Sequence, residues 1–182
     1  QMERYNLLVT FHPNQAGTAE REVRNRIERA GYAIEDMEHS CVNGVFCVQV
    51  DGDVKELIRG IRREFMDAPE MLYHTFHWVP VDTWVEATDE ALIEAVKEAA
   101  EGIGEHESWK MHVHKRHHPK HSEELMLLLT EPILKGKVDL RHPQKIIAVE
   151  VLGPMAGVSL LERDEIIDVN QLRLEVGLTQ II

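Results

Sequence analysis

The feature that most constrains the fold is the spacing of apolar residues between Asp53 and Phe65. Val54, Leu57, Ile58, Ile61 and Phe65 recur at i, i+3, i+4, i+7 and i+11, the signature of a helix with one apolar face. Asp53 with Glu56 three residues later has the form of a capping box that opens it. A helix patterned this way must lay its stripe on a partner layer, and the flanking sequence supplies strands. Tyr5–Phe11 is a short apolar run centred on Leu7, Leu8 and Val9. A second helix is expected from Thr18 as N-cap, with the stripe Ala19, Val23, Ile27 and Ala30 and a stop at Gly31. Ile34–His39 and Val45–Val50 read as strands joined by a tight primed turn at Asn43-Gly44, and Leu72–Val79 as a last strand. The order strand, helix, strand, strand, helix, strand predicts a ferredoxin-like βαββαβ domain over residues 1–80.

A second unit is expected over 81–167, giving an α+β chain of two domains. Thr88 caps a helix whose first turn holds Asp89 and Glu90, favourable against the helix dipole, and whose stripe is Leu92, Val96, Ala99 and Ile103. Trp109–His114 alternates, with Trp109, Met111 and Val113 on one face and Lys110, His112 and His114 on the other. Ser122 opens a helix apolar almost all round, through Leu125, Met126, Leu128 and Leu129, which is expected to be well buried and to end at Pro132. Ile146–Leu152 and Val158–Leu161 read as buried strands about Gly153-Pro154. Residues 168–182 show no clear period and stay unassigned, although the apolar stretch Leu178–Ile182 is suited to docking on this chain or a neighbour.

No apolar run approaches the roughly 18–20 residues of a membrane helix, no secretory pattern opens the sequence, and two cysteines do not make a disulfide framework. The expectation is a cytoplasmic protein with no membrane association. Cys41 and Cys47, with five residues between them and directed to opposite faces of a hairpin, are expected as buried thiols. Phosphate-binding and dinucleotide loops are lacking: Gly102-Ile103-Gly104 has neither a third glycine nor a preceding strand. Ser159, inside an apolar strand, suits a structural role better than a nucleophilic one. Neither catalysis nor a cofactor is expected.

The net charge of −12 argues against loose electrostatic attachment to nucleic acid, but the charge is unevenly distributed. From Glu86 to Glu107 eight acids accompany one lysine; from Lys110 to Lys145 eight Lys or Arg accompany four acids, with six histidines besides. His112, His114, His117, His118 and His121 fall within ten residues, and two of them share a strand face. Imidazoles at i and i+2 reach one ion, so a metal-binding or metal-sensing module on the His112–His121 cluster is the alternative reading. Interleaved Lys110, Lys115, Arg116 and Lys120, and the lack of a carboxylate at tight spacing, favour a basic, hydrogen-bonding surface with no metal.

One segment resembles a known family. Lys137-Val138-Asp139-Leu140, then Pro143, Ile146-Ile147-Ala148-Val149-Glu150-Val151 and Gly157-Val158-Ser159-Leu160 are similar to the signature of THUMP domains, especially the stand-alone type related to the adaptor for tRNA cytidine N4-acetylation. Trp109 through Arg116 is similar to the family's strand that ends in a basic pair. The resemblance covers about Val81 to Ile167 and implies a ferredoxin-like neighbour. It further implies binding of the tRNA acceptor end, so that a distant nucleotide reaches a modifying enzyme. With 15 residues after Ile167 in this sequence, the expectation is a non-catalytic adaptor whose partners are tRNA and a separate RNA acetyltransferase or other tRNA-modifying enzyme. The expected RNA-binding residues are Lys110, His112, His114, Lys115, Arg116, Lys120, Lys137, Arg141 and Lys145, which would contact phosphates and position RNA without reading its sequence.

Overall fold

The structure, a computed structural model, describes residues Met2–Ile181. The described residues divide into two compact units, residues 3–80 with 164–181, and residues 81–163. The second unit therefore ends earlier than the expected boundary at 167, because the chain from Asp164 returns to the first.

In the first unit β1 (Leu7–Thr10), α1 (Ala16–Arg29), β2 (Ala33–His39), β3 (Val45–Asp51), α2 (Val54–Asp67) and β4 (His77–Pro80) follow one another in the order expected of a ferredoxin-like domain. The sheet runs β4-β1-β3-β2, all neighbours antiparallel. Asp53 caps α2 as its sequence requires, its carboxylate accepting from the backbone N–H of Lys55 and Glu56. The stripe Leu57, Ile58, Ile61 and Phe65 is fully buried with Leu7, Val9, Phe46 and Trp78. At roughly 1.5–3 kcal/mol for each large apolar side chain, this layer stabilises the unit.

Several local expectations change. Thr18 is not the cap of α1: the helix begins at Ala16, and the Thr18 hydroxyl donates to the Gln15 carbonyl. Asn43-Gly44 does not form a two-residue primed turn. Both primed turns need a left-handed residue at the first central position, and of the two only Gly44, at the second, has a positive φ, 85°. The last β2–β3 pair is His39 opposite Phe46, with the Ser40 N–H donating to Val45, so a longer loop joins the strands. Cys47 is buried in β3, but Cys41 sits in that loop and is exposed, against the expectation for both.

Residues 72–76 are not a strand, because the backbone donors of Tyr73 and His74 go to a side chain. Buried Glu22 on α1 accepts from Tyr73 N (2.8 Å), His74 N (3.0 Å) and Thr75 Oγ1 (2.7 Å), and Trp78 Nε1 donates to Thr75 Oγ1. The tail contributes a fifth strand, β10 (Ile167–Asp168), antiparallel to β4, and α5 (Val169–Glu175), capped by the Asp168 carboxylate. Ile181 packs on the first unit's core, while Ile182 lies outside the described residues.

The second unit holds β5 (Thr83–Glu86), α3 (Asp89–Ala100), β6 (Ser108–Arg116), α4 (Ser122–Thr130), β7 (Lys137–Val138), β8 (Lys145–Leu152) and β9 (Met155–Glu162). Its mixed sheet runs β5-β9-β8-β6-β7, with β6 parallel to both β8 and β7. Thr88 caps α3 through its hydroxyl, which accepts from Ala91 N. Ser159 is structural: its hydroxyl accepts from Asp82 N while Leu160 N donates to Asp82 Oδ2, fixing the start of β5. The helices cover one sheet face, burying Leu92, Val96, Trp109, Met111, Ile147 and Val149. Helix α4 is less buried than its sequence suggests. Nine residues touch their neighbours along one line only, so Leu125 and Leu129 are buried while Leu127 is 66% exposed. Among the described residues, no helix is long and apolar enough to cross a membrane.

Candidate nucleic-acid interface

The nine residues expected to bind RNA are brought to two ends and one face of the second sheet, not to a single patch. Lys137 pairs with Ser108 at the start of β6, and Arg116 lies eight residues further along that strand. At about 3.3 Å per residue the two ends are roughly 26 Å apart.

The Ser108 end carries Lys137, Arg141 and Lys145, with Lys110 just inside it. Residues of the quoted motif help to build the loop that presents Arg141. Asp139 Oδ1 accepts from Arg141 N and His142 N, both at 3.0 Å, an Asx turn that folds the backbone back. These two N–H donors hold the Asp139 carboxyl below its ordinary value, helped by the charges of His142 and Lys137. Asp139 N and Lys137 N donate to the carbonyls of Trp109 and Glu107, and Trp109 Nε1 donates to Lys135 O. Gly136 closes the arrangement. Its φ is 67°, and a Cβ there would stand 2.6 Å from the Glu107 carbonyl, so no other residue fits without movement. The result is an edge loop with Lys137 and Arg141 exposed beside Val138 and Leu140, the latter 73% exposed. Lys145 is differently placed, because its Nζ pairs with Glu107 Oε2 at 3.1 Å.

The other end carries Lys115, Arg116 and Lys120, and the expected basic pair is split. Lys115 shares the helix-facing side of β6 with Met111 and Val113; Arg116 points to the opposite side. Lys120 Nζ pairs with Asp89 Oδ2 at 3.2 Å, in the first turn of α3. His117 has left-handed backbone, φ 56°, and turns the chain out of the strand. His118 then sits against Ala87 O (3.3 Å) and accepts from Lys120 N on Nδ1. Among the described residues Lys110, Lys115, Lys137 and Arg141 make no ion pair, whereas Arg116, Lys120 and Lys145 do.

Between the two ends, His112, His114 and Arg116 share a face with Glu150, a residue of the quoted motif. Parallel pairing sets His114 opposite Glu150. Glu150 Oε2 lies 3.3 Å from His114 Nδ1 and 3.5 Å from His112 Nε2, and Arg116 Nη1 donates to Oε1 at 3.1 Å. The Glu150 side chain is 2% exposed. Burial alone would push its carboxyl up; the contacts with His112 and His114 and the charge of Arg116 outweigh it and hold the carboxyl well below the usual range. A carboxylate is thus present after all within reach of the two histidines, supplied by the neighbouring strand. Its signal in the sequence was a lone acid inside an otherwise apolar strand, which needs a partner to be tolerated.

No family model and no curated protein matches this chain. Among solved structures it is similar to TrmN from Thermus thermophilus, at 20% identity and a TM-score of 0.56, over 94% of this chain and 48% of that one. It is also similar to PH1313 from Pyrococcus horikoshii Ot3, at 17% identity and a TM-score of 0.55, over 87% and 54%. The chain therefore spans about half the length of the structures it matches. At these identities the likeness shows the fold alone, an α+β architecture that this chain shares with both.

Proposed function

We propose that this chain is a non-catalytic, cytoplasmic tRNA-binding protein of the THUMP class, which presents tRNA to a separate modifying enzyme, a cytidine N4-acetyltransferase. The observation that carries the proposal is the edge loop built by Gly136 and Asp139. Asp139, one of the residues that resemble the THUMP signature, shapes it together with Gly136, and among the described residues neither Lys137 nor Arg141, which it presents, makes an ion pair. Two cations beside exposed apolar side chains suit a phosphate backbone that continues into unstacked nucleotides, as a single-stranded acceptor end would offer. Lys115, at the far end of β6, would meet a second phosphate of the same duplex. The acidic helix α3 would discourage RNA arriving in other orientations.

A reconstituted reaction containing tRNA, an acetyl donor and an RNA cytidine acetyltransferase tests the adaptor role. This chain alone is expected to give no modified nucleotide and to stimulate the enzyme when both are present, with the stimulation lost in Lys137→Ala/Arg141→Ala. Turnover by the chain alone would overturn the non-catalytic reading. No stimulation of the enzyme would overturn the adaptor reading.

A further inference from the structure

We propose that His112 Nε2, His114 Nδ1 and Glu150 Oε2 bind one divalent first-row transition-metal ion, zinc being the ion they suit best. These three ligand atoms lie within 4.8 Å of one another, on two neighbouring strands of a single unit. The spacing fits the chemistry. Ligands at about 2.0–2.2 Å from a tetrahedral zinc ion are roughly 3.3–3.5 Å apart, and Oε2 stands 3.3 Å and 3.5 Å from the two nitrogens. Strand geometry supplies the rest. His112 and His114 lie on one face at i and i+2, and the parallel β8 holds Glu150 beside them, so little backbone movement is needed for the ion to enter.

The donor set selects the class of ion. Two imidazoles and one carboxylate favour zinc, nickel, cobalt or iron(II) over calcium and magnesium, which take oxygen ligands. Three protein ligands leave a position for water. The histidine side chains are 21% and 33% exposed, so solvent reaches the ion from their side while the carboxylate stays buried. Arg116 is the opposing charge. Its contact is with Oε1, which leaves Oε2 directed at the imidazoles; it acts as a positioning residue that keeps Glu150 monodentate. His118 takes no part, since its ring nitrogens face Ala87 O and Lys120 N. The proposed site thus differs from the cluster read along the sequence: two of its five histidines belong, and a glutamate outside it completes the set.

The test uses untagged protein, stripped with a chelator and titrated with cobalt(II) by absorption and with zinc by calorimetry. One ion per chain is expected, with the intense visible bands of tetrahedral cobalt. His114→Ala and Glu150→Gln are each expected to weaken binding by more than the roughly 10- to 100-fold that loss of an outer partner costs. His117→Ala/His121→Ala should leave it unchanged. Circular dichroism without metal checks that each variant is folded. No cobalt bands with the wild-type protein, or binding that disappears with His117 and His121 but survives in Glu150→Gln, would overturn the proposal. The wild-type titration decides the matter even where a variant fails to fold, and it stands apart from the tRNA reading.

Discussion

The ion pairs of the second unit set an expectation for how salt would weaken the proposed tRNA binding. Seven cations were candidates for phosphate contact, and three of them are already held: Arg116 by Glu150, Lys120 by Asp89 and Lys145 by Glu107. Lys110, Lys115, Lys137 and Arg141 remain. Each phosphate neutralised contributes about −0.7 to −0.9 to the log–log slope of affinity against salt, so four give roughly −3 to −4. Between 50 and 200 mM salt, affinity should then fall by about 50- to 150-fold. Lys137→Ala/Arg141→Ala should halve the slope and reduce that loss to about tenfold, whereas Lys145→Ala should hardly change it. Fluorescence titrations of labelled tRNA across a salt series provide the measurement. A slope unaltered in the double variant, or as large a change from Lys145→Ala as from Lys137→Ala, would refute the assignment of cations to phosphates.

Other perturbations have equally specific outcomes. Arg116→Ala leaves a buried carboxylate without its cation and should cost about 2–4 kcal/mol, read as a lower Tm, while its effect on the salt slope stays small. Glu22→Ala removes the acceptor of Tyr73 N, His74 N and Thr75 Oγ1; a loss of about 2–4 kcal/mol is expected in thermal unfolding, and less for Glu22→Gln, which keeps an acceptor. Burial pushes the Cys47 thiol up to about 12 from an ordinary 9.0. A thiol reagent at neutral pH should therefore modify one cysteine, Cys41, in the folded protein and two after denaturation. The same shift means that Cys47 contributes its full stability below about pH 9 and loses it as the pH rises towards 12. Tm measured across that range should fall, and a flat profile together with modification of Cys47 in the native protein would contradict its burial.

The elements with strong periodicity were legible in the sequence. Asp53, the stripe from Val54 to Phe65, and Thr88 each do locally what their spacing requires, and the order of the first unit follows from them. The misread segments are those where long-range contacts decide. Residues 72–76 look like a strand, yet Glu22 takes the N–H groups of Tyr73 and His74. Strand β10 is two residues long and exists only because β4 offers an open edge. The Asn43-Gly44 dipeptide favours a primed turn, but the register fixed by the β2–β3 ladder needs a longer loop. For the candidate site, sequence showed which residues are basic and not which are already paired. Lys120 with Asp89 and Lys145 with Glu107 are 31 and 38 residues apart in sequence, and only the fold joins them. Glu150 was hidden for the same reason, since it reaches the histidines of β6 through strand pairing.

The proposed function requires that this chain recognise tRNA through its acceptor end. Its most direct test is a competition titration at low salt between intact tRNA and the same tRNA trimmed of its single-stranded 3′ end. Intact tRNA is expected to bind at least about tenfold more tightly, a difference of about 1.4 kcal/mol, and Lys137→Ala/Arg141→Ala to remove the preference. Equal affinity for both RNAs, or no binding to either, would contradict it.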